Sequence, residues 1–284
     1  MKLTIDRNKL FSAISIVEKF VPSKTPITVL TGIRFCALND MVTLSATDLD
    51  MGIEYIIKTE ENEDNTEASL HISGNGSFVV LAKIFSEITR KMSQNQVEIS
   101  YIDDKIQVQC GNSHMTLPCF SDEDFPEISK SNISFMLEFS QGIFKNMIRQ
   151  VIYARAEESP SRPQLTGVLV ESRGGKLHMV ALDGYRISWR WETLNNSNKQ
   201  DFSIIIPGKT LMELSRILSD DVDKSFKIYT ANNRIEFKTD NIVISSRVLD
   251  GDFIDYEKVV NVEPKTNLHV DTDAFESAID RAMV

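Results

Sequence analysis

"GIRFCALNDMVTLSATDLDMGI", residues 32–53, recurs in outline as "GVLVESRGGKLHMVALDGYRIS", residues 167–188. Each stretch opens on glycine, alternates apolar and polar residues around a short polar turn, and reaches Ala-x-Asp, at Ala46–Asp48 and Ala181–Asp183. Alternation at period two marks half-buried strands. The likeness extends outward in both directions. Downstream, "VLAKIFSEITRKMS" (80–93) parallels "IPGKTLMELSRILS" (206–219), with Lys83 matching Lys209, Glu87 matching Glu213 and Arg90 matching Arg216. Then "VEISYIDDKIQV" (97–108) parallels "FKIYTANNRIEF" (226–237), two hairpin patterns with Asp or Asn at the turn. Both copies close on a similar tail, "DEDFPEI" (122–128) and "DGDFIDY" (250–256).

Upstream, each copy begins with a helix signature. Asp6 and Ser140 are good N-caps, because a short side-chain oxygen can accept a free backbone N–H of the first turn. Leu10, Ala13, Ile14 and Val17 then match Phe144, Met147, Ile148 and Val151 as one apolar helix face. A third version stands at the end of the sequence: Asp271 as cap, then Phe275, Ala278, Ile279 and Ala282. The repeating unit is strand, helix, strands, helix, strands, at a period of about 130 residues, too long for a solenoid repeat. The expectation is a duplicated α+β domain at 1–128 and 129–256, each with two helices packed on antiparallel sheets. Residues 257–284 are expected to be the start of a third, incomplete domain.

Composition bounds the function. The 284 residues hold 42% hydrophobic and 25% charged residues, an ordinary globular balance. Three cysteines, Cys36, Cys110 and Cys119, without a CxxC pair suggest reduced thiols in the cytoplasm and no zinc. The N-terminal stretch carries Asp6, Arg7 and Lys9 and no apolar segment, unlike a signal peptide. No apolar run reaches membrane-spanning length, so no membrane partner is expected. A formal net charge of −10 argues, as a sum, against nucleic-acid binding.

The repeat order, together with "ATDLDM" in the first copy and "VALDGYRIS" in the second, resembles the bacterial sliding clamp family, the β subunits of DNA polymerase III. The resemblance runs over the whole sequence. It implies three similar domains per subunit and a head-to-tail ring homodimer whose helices line a hole around duplex DNA. It implies as partners double-stranded DNA, the DNA polymerase III α subunit, the clamp loader and other proteins with clamp-binding motifs. It implies no catalysis, cofactor or metal. With most of a third domain absent, the 284-residue chain is expected to be mainly monomeric. The alternative is a truncated clamp that binds partners without encircling DNA.

The distribution of charge tests that resemblance. The segments 6–20, 79–92, 140–155 and 208–219 together carry +7, leaving −17 for the remainder. Basic helices in an acidic protein can present positive charge to phosphates while the rest repels DNA. Lys and Arg also favour helices in any protein, so the count alone fits a solvated face too. The candidate DNA contacts are Lys83, Arg149, Arg155 and Lys209 on or beside helices, and Lys24 and Arg162 in the corresponding loops "VPSKTPIT" and "EESPSRPQL". A solvated loop charge would read the same. In the family those loops approach DNA; here Pro163 and Gln164 replace aromatic residues that some members carry, so stacking is not expected.

The resemblance also implies an apolar groove between the second and third domains, where partner peptides insert side chains. By position its lining is Leu165, Leu182, Gly184, Arg186, Ile187, Ile254 and Val259, although the apolar members read equally as ordinary core. Leu182 stands where the family usually has Thr, and Ile254 where it has Pro, which would make the groove greasier.

Enzyme motifs do not hold up. "PGKT" at 207–210 resembles the end of a phosphate-binding loop, but the required upstream glycine is Ser203. Asp48 and Asp183 occupy equivalent repeat positions and are expected to form strand-end turns. The four histidines, His71, His114, His178 and His269, show no metal-ligand spacing.

Overall fold

The computed structural model describes residues 1–59, 69–128, 134–194, 201–231, 233–260 and 263–283. They divide into two compact units, Met1–Asp252 and Phe253–Val284. The first unit contains both repeats. Its first repeat runs β1 (Lys2–Asp6), α1 (Arg7–Val17), β2 (Gly32–Leu38), β3 (Met41–Thr47), β4 (Met51–Lys58), β5 (Leu70–Gly74), β6 (Gly76–Leu81), α2 (Ala82–Lys91), β7 (Gln96–Ile102), β8 (Lys105–Cys110) and β9 (Ser113–Phe120). The second runs β10 (Ser134–Ser140), α3 (Gln141–Val151), β11 (Gly167–Arg173), β12 (Lys176–Leu182), β13 (Ile187–Thr193), β14 (Phe202–Pro207), α4 (Gly208–Ile217), β15 (Ser225–Ala231), β16 (Arg234–Lys238) and β17 (Ile242–Arg247). The second unit holds α5 (Tyr256–Val260) and α6 (Thr272–Ala282). The boundary expected after residue 128 falls beside residues 129–133, which, like Asn232 of the second expected hairpin turn, lie outside the described residues.

All three expected N-caps form. The Asp6 carboxylate accepts the Lys9 N–H at 2.9 Å, the Ser140 hydroxyl accepts the Ile143 N–H at 3.4 Å, and the Asp271 carboxylate accepts the Ala274 N–H at 2.9 Å. The apolar stripes of α1 and α3 are buried as expected, whereas no residue of α6 is buried. The Asp103-Asp104 turn joins Ile102 to Lys105 with both φ angles positive, +48° and +56°. That is the two-residue hairpin geometry whose twist suits the flanking strands.

Every strand pairing among the described residues is antiparallel. In each repeat the helices pack against each other, α1 on α2 and α3 on α4; α1 also packs on β3 and β4, and α3 on β12 and β13. The repeats share a joint. β17 of the second pairs with β4 of the first, from Ile242↔Tyr55 to Ser246↔Met51, so that β10, β15, β16 and β17 join the strands of the first repeat in a 13-stranded sheet, while β11–β14 form a separate four-stranded sheet. Ile56 N–H to Asn241 O and Arg247 N–H to Asp50 O, both 2.8 Å, extend the ladder at its ends. Below it the Thr210 and Ser246 hydroxyls meet at 2.7 Å in a buried setting.

Candidate nucleic-acid interface and peptide groove

The basic residues fall into two groups. Lys24, Lys83 and Arg162 are exposed and carry no ion pair among the described residues. The other three candidates have intramolecular work. Lys209 Nζ lies 2.6 Å from the Asp48 carboxylate, across the joint between the repeats. Arg149 contacts Asp220 at 3.4 Å, and the same carboxylate takes Lys145 Nζ at 2.8 Å. Lys145 is buried although it counts toward the helix charge, and its hydrogen bond outweighs desolvation in holding the Asp220 carboxyl below its usual range. Arg155 folds back, donating to Ala156 O at 2.9 Å, and its side chain lies over Gly208. The helix charge is therefore partly neutralised at short range, which the sequence count could not register.

Gly208 is the glycine of "PGKT", and the space where its Cβ would stand is taken by Arg155 and, at 2.8 Å, by Thr166 O. This glycine admits a neighbouring side chain, and a cation covers the helix start where a nucleotide-binding loop would present its N–H groups.

Asp48 and Asp183 perform the same task in their repeats. The Asp48 carboxylate accepts the N–H groups of Asp50 and Met51 at 3.1 and 2.8 Å; Asp183 accepts those of Tyr185 and Arg186 at 3.0 and 3.1 Å. The intervening residue has positive φ in both, +78° at Leu49 and +96° at Gly184. The turns match as sequence equivalence requires, and each aspartate is occupied by backbone donors. Among the described residues no group of three or more His, Cys, Asp or Glu is placed to hold a metal.

The second turn sets two of the candidate groove residues, Gly184 and Arg186. Arg186 Nε donates to Asp183 at 2.9 Å, and its guanidinium lies 5.8 Å from the Tyr153 ring centroid. The Tyr185 N–H, followed by the Arg186 N–H and guanidinium, holds the Asp183 carboxyl below its usual range. Leu165 and Leu182 are buried, Ile187 is half-buried, and Gly184 and Arg186 are exposed. Ile254 and Val259 belong to the second unit, where Ile254 is half-buried and Val259 exposed. No sequence motif marked Tyr153 and Tyr185, which are 59% and 99% exposed next to Arg186. A usable signal was there: Tyr153 stands where the first repeat has Lys19, and Tyr185 where it has Asp50.

A pair of repeats, each with two helices on antiparallel sheets and joined strand to strand, defines a DNA-clamp protein. Family models agree: residues 1–129 match the N-terminal domain of the DNA polymerase III beta subunit, and residues 138–255 match its central domain. The Beta sliding clamp of Bacillus subtilis is 32% identical over 99% of this chain and 74% of its own length. That of Streptococcus pneumoniae R6 is 29% identical over 98% and 72%. Among solved structures, the Bacillus subtilis DNA polymerase sliding clamp superposes with a TM-score of 0.91 at 31% identity, covering 99% of this chain and 73% of that one. A putative DNA polymerase III beta subunit from Eubacterium rectale gives the same score and identity over 100% and 74%. The chain belongs to the DNA polymerase III beta subunit family, the bacterial beta sliding clamps, which are non-catalytic processivity factors. It spans about three quarters of the length of these relatives.

Proposed function

We propose that this protein encircles duplex DNA as part of a head-to-tail ring and tethers the polymerase III α subunit, the clamp loader and other partners through the groove near Arg186. The observation that carries the reading is the β4–β17 joint. Each repeat owns one copy of both joining strands: β13 is equivalent to β4, and β9 to β17. The backbones of Ile187, Trp189 and Trp191 face away from β12, just as their counterparts Gly52, Glu54 and Ile56 face β17. Such a joint uses two different surfaces, so it can be repeated, and it closes into a ring when the rotation allows. A third domain beginning near residue 257 and a second subunit continue it at β13 and β9, the two subunits forming a homodimer.

Lys24, Lys83 and Arg162 supply the sequence-independent contact with phosphates, while Arg149, Arg155 and Lys209 first hold the scaffold. The protein works in the cytoplasm; no helix among the described residues is long and apolar enough to cross a membrane. The test is duplex binding at two salt concentrations. Neutralising Z phosphates makes log K fall with log salt at a slope of about −0.9Z. Changing Lys24, Lys83 and Arg162 together to Glu is expected to flatten that slope by about 3 and weaken binding at low salt. Unchanged binding by the triple variant would overturn the assignment of these contacts.

A further inference from the structure

The groove positions of the second repeat have counterparts in the first: Leu30 for Leu165, Thr47 for Leu182, Leu49 for Gly184, Met51 for Arg186 and Gly52 for Ile187. The backbone turn is the same, yet this face is closed. Two residues of the tail that follows β9 cover it. Phe125 is buried in a small cluster with Leu30, Val29 and Val79. Ile128 is also buried, and three of its side-chain carbons lie 3.1–3.2 Å from where a Cβ on Gly52 would stand. Where the second repeat has Ile187, the first has a glycine, and the space is taken by Ile128. The φ of Gly52 lies outside the left-handed region, so close approach, not backbone conformation, explains the glycine.

We infer that Ile128 is a specificity-determining residue: it occupies the first repeat's counterpart of the peptide groove and restricts apolar peptide side chains to the second repeat. This rests on the groove reading proposed above. A buried branched side chain set on a glycine occupies the volume that a peptide's Leu or Phe would need, and interiors packed to crystal density leave no room for both. In the first repeat this closure comes from two residues, Gly52 and Ile128, although the turn that frames the site is duplicated.

The experiment uses the full 284-residue chain and a short peptide containing Leu and Phe, followed by backbone amide NMR and titration calorimetry. In the unaltered protein, shifts are expected around Leu165 and Ile187 and not around Leu30 and Gly52. Ile128→Gly is expected to add shifts around Leu30 and Gly52 and raise the stoichiometry from one peptide per chain to two. Gly52→Ile, which displaces Ile128 by overlap, provides a second route to the same result if the first variant does not fold. Peptide bound at Leu30 and Gly52 of the unaltered protein, or a single peptide bound by either folded variant, would overturn the inference. Absence of shifts at Leu165 and Ile187 overturns the groove reading instead, and peptide-induced shifts at Leu30 and position 52 in the variants still decide the role of Ile128.

Discussion

Single residues here are set by what lies against them. Leu49 shows the cost side. Its φ of +78° is left-handed, where a side chain meets its own carbonyl at a cost of roughly 1–2 kcal/mol. Its exposure of 42% means that little burial is lost on truncation. Leu49→Gly is therefore expected to be neutral or stabilising within about 1 kcal/mol by urea denaturation, the relief being set against glycine's extra chain entropy. Asp122 shows the gain side. Burial pushes its carboxyl up, but hydrogen bonds from Arg34 and Ser77 outweigh that and hold it below the usual 3.8. Arg34 donates through Nε and a terminal nitrogen at 2.9 and 2.8 Å, with both side chains largely screened from water. Because the folded value is the lower one, this contribution is complete above the ordinary Asp value and is lost as pH falls below it. Asp122→Asn is expected to cost about 1–2 kcal/mol near neutral pH. It should also flatten the acid limb of a melting-temperature profile, which scanning calorimetry between neutral pH and the carboxylate range will read.

Elements are where the duplication is most legible, since caps and stripes depend on neighbours within one helical turn. Asp6, Ser140 and Asp271 cap three helices that share one pattern, yet their contexts differ. Ser140 both accepts the Ile143 N–H and donates to Val222 O at 2.7 Å, tying α3 to the loop after α4. Ser140→Ala is expected to lower stability by about 1 kcal/mol, and Ser140→Asp to restore the cap but not the donated bond, giving an intermediate denaturation midpoint. Gly208 belongs to this scale too. A Cβ there overlaps Arg155 and Thr166 O at the start of α4, so Gly208→Ala is expected to cost about 1–3 kcal/mol by overpacking. The smaller loss with Arg155→Ala already present would identify the overlap as the cause, in a double-mutant cycle of denaturation midpoints.

For the whole molecule, the relevant quantity is what the joint does to charge and to edges. Lys209 and Asp48 come from different repeats, 161 positions apart, and meet only because β17 adds to β4. Lys209→Ala is expected to weaken the coupling of the repeats more than DNA contact: urea denaturation loses cooperativity or midpoint, while the salt slope of duplex binding changes by less than about 1. A slope reduced by a full unit would return Lys209 to the phosphate-binding set.

The amino-acid sequence by itself determined the repeat, the order of elements, the three caps, the hairpin turns and the family, because each rests on residues close in the chain or on a pattern recurring whole. It also named Asp48 and Asp183 as turn residues, which needs only the next three positions. Tertiary structure alone decided which candidate basic residues carry an ion pair among the described residues, that Lys145 is buried against Asp220, that Arg155 lies on Gly208, and that Ile128 fills the space at Gly52. In each of those pairs the partners stand between 53 and 76 positions apart. Local periodicity carries no record of such meetings; they follow from the packing of whole elements, whose register and crossing set which side chains share a space.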